Sequence, residues 1–319
     1  MRTEVDHRAP SRLPIPSDVA YFPQAKSKSE HLQQEVLKRT GDNLVYAIQY
    51  GSSIAGDATS TSMIDMIIIV ENTKEFHERN KSVAAKDYGI PRSTAFHDWL
   101  NRFGFNFYHS AFQTENGPTK TKYAVISRDN FVKGCHGSLL ENEKEKIGAF
   151  GFYVAGRMQK AALKPLLMTK NEQKVTEIEQ AINSARIDGV WLTLGLVPKE
   201  FTLNDLLKKY VSLSYLADIR IEKPGKIQTM LNKNYQDYLN MILPILSDFV
   251  RIGLIKPAEN GNWTKIESPS EAEVKKRLIS IKARTAVTNY LKNPITTGIN
   301  KSADYALQKV RRAIDPHLR

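Results

Sequence analysis

Two short segments of the sequence carry residues suited to phosphate chemistry. Gly51, Ser52 and Ser53 end one apolar run, and Asp65 opens another, thirteen residues after Ser52. A glycine–serine turn lets backbone N–H groups come close to phosphate oxygens. A carboxylate at the edge of an adjoining strand can hold Mg²⁺, a hard cation that prefers oxygen ligands. Together the segments predict a nucleotidyl-transfer site, and the alternative is a strand cap beside a solvated aspartate.

The spacing of these segments is similar to that in polymerase-beta-like nucleotidyltransferases, which usually carry a second carboxylate two residues after the first. Ile67 stands at that position here, so metal binding needs another donor. A phosphate monoester acting as the nucleophile explains the difference, because its second pKa of about 6 leaves it largely dianionic at neutral pH. Such a nucleophile needs no general base.

Apolar periodicity places this motif in an α/β arrangement. The expected helices are residues 29–39, 73–86 and 93–103, and the expected strands are 44–50, 64–70, 105–110, 122–127 and 152–155. After Pro165 strand signals become sparse, and helices are expected at 175–194, 203–210 and 235–252. Two basic helices separated by Pro294 and Gly298 are expected at the end of the sequence. The pattern indicates a mixed sheet followed by a mostly helical domain.

Further residues extend the pattern over roughly residues 44–312. They are Tyr50-Gly51-Ser52, Ser62-Met63-Ile64-Asp65, Phe76-His77 with Asn80, Lys122-Tyr123, Ala155-Gly156-Arg157-Met158 with Lys160, and Ser212-Leu213-Ser214-Tyr215 with Asp218, Arg220 and Lys226. This set resembles the mitochondrial CDP-diacylglycerol synthases of the translocator assembly and maintenance family, as a distant or bacterial member. The resemblance implies a flexible arm at 1–28, a polymerase-beta-like nucleotidyltransferase domain at 29–164, a winged-helix-like domain at 165–270 and basic, membrane-associating helices at 271–319.

The resemblance also implies a reaction and a set of site residues. CTP and phosphatidic acid would give CDP-diacylglycerol and pyrophosphate, with Mg²⁺ as the cofactor. The catalytic residues would be Asp65, which also binds the metal, Lys122 and Asp218. Nucleotide binding would use Gly51, Ser52, Ser53, His77, Asn80 and Tyr215, and phosphate binding would use Arg157, Lys160, Arg220 and Lys226.

Several of these residues have a structural alternative. His77 and Asn80 share one helix face at i,i+3 spacing, so they would either orient the nucleotide or brace the sheet. Lys122 either supplies a point charge to phosphate or is solvated on its strand. Asp218 and Arg220 either close over the site from the second domain or form an interdomain ion pair.

The charge distribution bears on where the protein works. The net charge is +12 in 319 residues, and the last 49 residues carry 11 Lys and Arg against 4 Asp and Glu. Apolar residues at helical spacing predict an amphipathic helix that either docks on the protein or binds an anionic membrane surface. The basic residues of this helix are Lys301, Lys309, Arg311 and Arg312. The apolar runs are far shorter than the roughly 20 residues of a membrane span.

The remaining features narrow the alternatives. A single cysteine, Cys135, excludes an internal disulfide. The first 20 residues lack the features of a secretory or transit peptide. The expected location is therefore the cytoplasmic side of a bacterial membrane, with the matrix face of the mitochondrial inner membrane as the alternative. A nucleic-acid nucleotidyltransferase and a non-catalytic membrane scaffold are the competing functions. A nucleic-acid partner is not expected, because the sequence does not predict a basic groove with interleaved aromatic residues.

Overall fold

The computed structural model describes residues 30–51, 63–89, 92–136, 154–161, 163–216, 225–258 and 261–298. Helices and strands alternate in the first part: α1 (Glu30–Thr40), β1 (Leu44–Tyr50), β2 (Ile64–Val70), α2 (Thr73–Ala84), α3 (Thr94–Asn101), β3 (Asn106–Thr114), β4 (Gly117–Ser127), α4 (Arg128–His136), α5 (residues 154–158) and β5 (Leu163–Met168). The second part is mostly helical: α6 (Glu172–Leu194), β6 (Glu200–Phe201), α7 (Leu203–Leu216), α8 (Lys226–Lys233), α9 (Tyr235–Arg251), β7 (Ile255–Pro257), β8 (Trp263–Lys265) and α10 (Glu271–Thr297). The chain is a mixed α/β protein, as the sequence pattern predicts.

A five-stranded mixed sheet with the order β3-β4-β2-β1-β5 organises the first part. β2 and β4 run parallel, whereas the other neighbouring strands are antiparallel. The central strands β1 and β2 are near-continuous apolar runs rich in β-branched and aromatic residues, which suit burial on both faces. Asp65 is the charged exception, and it lies at the end of the sheet where β2 begins.

Alternate residues of β2 face two separate hydrophobic cores. Met66 and Ile68 pack with Leu32 of α1 and Phe76 of α2, on the side we call the α2 face. Ile67 points to the opposite side, where it packs with residues of α4, α5 and α6, and we call this side the α6 face.

The C-terminal half of α6 extends beyond the sheet into a second core. There it packs with α7, α8 and α9, and a three-stranded antiparallel sheet with the order β6-β8-β7 lies against these helices. The three strands have only two or three residues each, too few to give a periodic signal in the sequence. This explains why helices alone were expected here.

The last described helix, α10, joins the two parts. Its first turn is closed by a capping box in which the Ser270 side chain accepts from the backbone of the third helical residue. Val274 and Leu278 pack on Leu192 of α6 and Leu213 of α7. The first half of α10 is therefore docked on the helical part.

The far end of α10 contacts the first part instead. The Lys292 ammonium donates to the Gly104 carbonyl at 3.1 Å, and the Gly89 N–H donates to the Thr296 carbonyl at 3.1 Å. The expected break at Pro294 is wrong, because the helix continues through this residue to Thr297. In the parts of the chain described above, no helix is long and apolar enough to cross a membrane.

Two expectations near the junction of the parts also fail. A strand was expected at 152–155, but residues 154 and 155, the part of this range that the structure describes, are helical and belong to α5. Strand β5 was not expected, because Pro165 argues against a strand. β5 is an edge strand paired only with β1 in this sheet, and proline is tolerated at an edge.

Candidate active site at one end of the sheet

Four residues form a row across one end of the sheet. Strand register pairs Tyr50 of β1 with Asp65 of β2, Asp65 with Lys122 of β4, and Lys122 with His109 of β3. Paired residues of neighbouring strands point to the same face of a sheet. Because Asp65 precedes Ile67 by two residues, this row lies on the α6 face. The expected catalytic residues Asp65 and Lys122 are thus neighbours on adjacent strands.

The turn after β1 brings Gly51 against the Asp65 carboxylate. Gly51 has a φ of 91°, in the left-handed region that favours glycine. A Cβ at this position would lie 2.7 Å from Oδ2 of Asp65, closer than non-bonded atoms approach. Glycine is therefore required by the backbone conformation and by the closeness of the Asp65 carboxylate. This carboxylate is partly exposed.

Two basic side chains of this region lie over aromatic rings. The guanidinium carbon of Arg157 lies 5.4 Å from the centroid of the Tyr50 ring, and Nζ of Lys122 lies 4.6 Å from that of Phe107. Cations within about 6 Å of a ring centroid are attracted to the ring face. Arg157, at the end of α5, thus lies beside the strand end that carries the register partner of Asp65.

A second cluster connects α5 with the helical part. Nζ of Lys160 and Nζ of Lys226 lie 6.0 Å and 5.2 Å from the centroid of the Tyr215 ring. The Tyr215 hydroxyl donates to Sδ of Met230 at 2.9 Å. Because Lys160 follows Arg157 by three residues, basic side chains extend from the row to α7 and α8. We call Lys160, Tyr215 and Lys226 the lysine–tyrosine cluster.

His77 and Asn80 join neither the row nor this cluster. Both side chains are fully buried on the α2 face. His77 contacts the Asn101 Oδ1 through Nε2 at 2.7 Å and the Tyr88 hydroxyl through Nδ1 at 3.1 Å. The Asn80 amide donates to the Tyr88 and Tyr123 hydroxyls at 3.1 Å and 2.9 Å. This placement argues against nucleotide binding by either residue and favours the bracing role.

A buried ion pair extends the same network. The Arg39 guanidinium donates to Asn80 Oδ1 and Asp87 Oδ2, each at 3.0 Å, and the Tyr123 hydroxyl also donates to Asp87 at 3.0 Å. Burial lowers the pKa of His77 to about 4, so its imidazole is neutral at neutral pH. A neutral imidazole offers one donor and one acceptor, which its two contacts use. The network ties α1 and α2 to β4.

Eight predicted site residues lie outside the described residues. They are Ser52, Ser53, Asp218, Arg220, Lys301, Lys309, Arg311 and Arg312. Their assigned roles stay predictions.

His109, in contrast, was not predicted and yet ends the row beside Lys122. The signal that could have found it is the hairpin turn. Thr114 pairs with Gly117 across that turn, and counting back along both strands sets His109 opposite Lys122.

The row offers a metal ion one carboxylate rather than a cluster. Among the described residues, no group of three or more His, Cys, Asp and Glu could hold a metal ion. Asp65 still fits Mg²⁺, which is commonly held by one or two carboxylates together with substrate phosphates. A side chain at position 51 would crowd Oδ2, and glycine avoids that contact.

The sequence is similar to a known protein family. Residues 33–269 match the family model described as "Phosphatidate cytidylyltransferase, mitochondrial". The protein of that name from Caenorhabditis elegans is 26% identical over 237 residues, which cover 70% of this chain and 68% of the relative. Relatives of the same name from Dictyostelium discoideum and Schizosaccharomyces pombe are 28% identical over 63% of this chain, covering 45% and 49% of their own lengths. The matched residues include the whole row and the lysine–tyrosine cluster.

Proposed function

The chain belongs to the family of mitochondrial phosphatidate cytidylyltransferases, and from this we propose that it makes CDP-diacylglycerol and pyrophosphate from CTP and phosphatidate at a membrane surface. The observation that carries the proposal is the close approach of Gly51 to Asp65 at the end of the sheet. A partly exposed carboxylate next to a glycine backbone is the arrangement that binding of a triphosphate with Mg²⁺ would use.

The reaction makes one bond and breaks one bond at the α-phosphorus of CTP. An oxygen of the phosphatidate phosphomonoester attacks, the bond from the α-phosphorus to the bridging oxygen breaks in line, and pyrophosphate leaves with the electron pair. The nucleophile is largely dianionic at neutral pH, so no side chain has to remove a proton. The protein therefore has to hold two anionic substrates in line.

The positions of the basic side chains support this role for them. Lys122 and Arg157 flank the pair of Tyr50 and Asp65, and they would bind phosphate oxygens as a point charge and as a bidentate donor respectively. Lys160 and Lys226 would bind phosphate from the side of the helical part, next to Tyr215 as a nucleotide contact. Ser52, Ser53, Asp218 and Arg220 complete the proposed set.

Mg²⁺ is the cofactor that Asp65 would hold. When bound, it neutralises charge on the triphosphate oxygens and on the leaving pyrophosphate. The support for it is the chemistry of a partly exposed carboxylate that a side chain at position 51 would crowd and that glycine leaves uncrowded.

We also propose the finer description of the fold. The parallel pair of β2 and β4 next to antiparallel β1 supports a polymerase-beta-like nucleotidyltransferase domain. Helices α7 to α9 followed by the hairpin of β7 and β8 support a winged-helix-like second part. The relatives are named mitochondrial proteins, so the mitochondrial membrane is preferred, and the expectation of a bacterial protein has no support in them.

Pyrophosphate release from CTP by the purified chain tests the function. Release should require both Mg²⁺ and liposomes that contain phosphatidate, and CDP-diacylglycerol should appear in the lipid phase. Phosphatidylcholine liposomes are the control. Release with RNA or DNA ends but not with phosphatidate would overturn the proposal, and no release with either would favour the non-catalytic scaffold.

A further inference from the structure

The segment of residues 154–160 carries Arg157 and Lys160. It packs against residues of α4 and α6 that have no assigned role. We call this segment the shelf. We propose that Gly134, Arg186 and Gly189 are positioning residues that hold the shelf ready to bind phosphate. The inference rests on the proposed function, which gives the shelf its ligand.

On one side, α4 has a glycine where the first residue of the shelf packs. A Cβ at Gly134 would lie 2.8 Å from Cγ2 and 2.9 Å from Cβ of Val154. Val154 is fully buried, and its branched side chain is stiff at χ1, so it cannot yield without moving its backbone. Glycine within a helix lowers stability relative to alanine. The close approach of Val154 accounts for that cost.

On the other side, α6 has a glycine where the shelf ends. A Cβ at Gly189 would lie 2.7 Å from Nε2 of Gln159 and 2.9 Å from Cε2 of Tyr210. The Gln159 amide also donates to the Ala185 carbonyl, one turn earlier in α6, at 3.4 Å. The shelf is thus wedged between two helices of the protein core.

Arg186 holds the backbone of the shelf at the end of α5. Its Nε donates to the Met158 carbonyl, immediately after Arg157, at 3.2 Å. A cation at a helix C-terminus is favourable, because the last carbonyls of the helix lack partners. Arg186 is only 1% exposed, and burial lowers its pKa. Taking an arginine out of water costs several kcal/mol. Its bond to the shelf helps to explain why this arginine is buried.

These contacts mean that the shelf is ordered by folding rather than by the substrate. Arg157 and Lys160 then bind phosphate without a further loss of backbone freedom. Preorganised sites are sensitive to small shifts, and a displacement of about 1 Å can cost about a hundredfold in rate. A methyl group placed at Gly134 should therefore weaken phosphate binding even though it touches no substrate.

The variant Gly134→Ala tests this. We expect it to raise the KM for CTP and the inhibition constant for inorganic pyrophosphate by about tenfold each, or about 1.4 kcal/mol, with a smaller change in kcat. Adding Val154→Gly to Gly134→Ala removes the clashing methyl groups together with the Cβ atom at 2.9 Å, and it should restore both constants. All variants are assayed well below their unfolding midpoints, with folding checked by circular dichroism.

A stability-matched control separates positioning from general destabilisation. Leu32 is 1% exposed and packs on the α2 face, so Leu32→Ala should lower the unfolding midpoint and leave both constants unchanged. The inference is overturned if Gly134→Ala leaves the constants unchanged, if the added Val154→Gly does not rescue them, or if Leu32→Ala raises them equally. A wild-type protein that releases no pyrophosphate would refute the proposed function instead.

Discussion

Asp65 is the residue at which charge and shape can be separated most cleanly. Asn keeps the shape of the side chain and loses the charge that would hold Mg²⁺. We expect Asp65→Asn to lower cytidylyl transfer by about a thousandfold or more, with little change in unfolding midpoint because the side chain is partly exposed. Calorimetry should also show that Mg²⁺ no longer strengthens CTP binding. Activity within about tenfold of wild type would contradict the metal assignment.

Gly51 offers a test of the space beside this carboxylate. Gly51→Ala meets two obstacles, a φ of 91° and an oxygen 2.7 Å from the new methyl group. Gly253→Ala is a matched control, because Gly253 has a φ of 81° and nothing within 4 Å of its Cβ position. Both variants should lose about 1–2 kcal/mol of stability, measured by urea unfolding. Only Gly51→Ala should lose most of its kcat/KM, and equal losses of activity would make Gly51 a purely structural residue.

The sequence predicts the spatial neighbours of some of these residues better than those of others. The proximity of Gly51 to Asp65 is predictable because a turn and the strand beside it are encoded within a short stretch of chain. The i,i+3 spacing of His77 and Asn80 predicts that they share a helix face, but it cannot tell which neighbour covers that face. In the structure this face turns to the sheet, and Tyr123 of β4 meets it.

At the scale of elements, β1 and β2 can be predicted from the sequence, whereas β5 and α5 cannot. The central strands are predictable because burial on both faces leaves a long apolar run in the sequence. β5 and α5 are decided by tertiary contacts. Pro165 is tolerated because β5 lies at the edge of the sheet. Valine favours strands, but Val154 lies in a helix and packs closely against Gly134 of α4.

Helix α10 contains a buried lysine whose effect on stability can be measured. Burial lowers the pKa of Lys292 from 10.5 to about 7. Between these values the unfolded chain holds a proton that the folded chain has released, so Lys292 makes the free energy of unfolding rise with pH. Lys292→Met removes this dependence. Its Gly104 partner keeps a hydrogen bond from Asn101 at 3.2 Å.

We therefore expect Lys292→Met to be more stable than wild type, on the order of a few kcal/mol below about pH 7 and progressively less towards pH 10.5. Urea unfolding at several pH values measures the difference. His77, the nearby titratable group, does not interfere, because its pKa is about 4. Lys282→Met, at an exposed position of the same helix, should change little. A difference that does not vary with pH would contradict the shifted pKa.

At the scale of the whole molecule, the end of α10 determines where the C-terminal residues can be removed without disturbing the fold. The sequence pattern predicts a break at Pro294, where a second helix would begin, and a truncation at that break would leave the first helix intact. In the structure such a truncation would remove part of α10, because Thr296 is buried and its carbonyl accepts a hydrogen bond from the Gly89 N–H. A deletion that begins at residue 299 leaves all of α10 in place. It removes Lys301, Lys309, Arg311 and Arg312 together.

Deletion of residues 299–319 should separate membrane recruitment from chemistry. Because the row around Asp65 is retained, we expect weaker binding to anionic liposomes and lower activity on bilayer phosphatidate, but nearly full activity on short-chain, water-soluble phosphatidate. Salt should weaken liposome binding of the full chain in the same way, since exposed charges are screened beyond about 8 Å at physiological ionic strength. Replacing the four basic residues by Gln is the matched control for charge. A truncated protein that binds liposomes normally and is equally inactive on both substrates would place the tail at the active site.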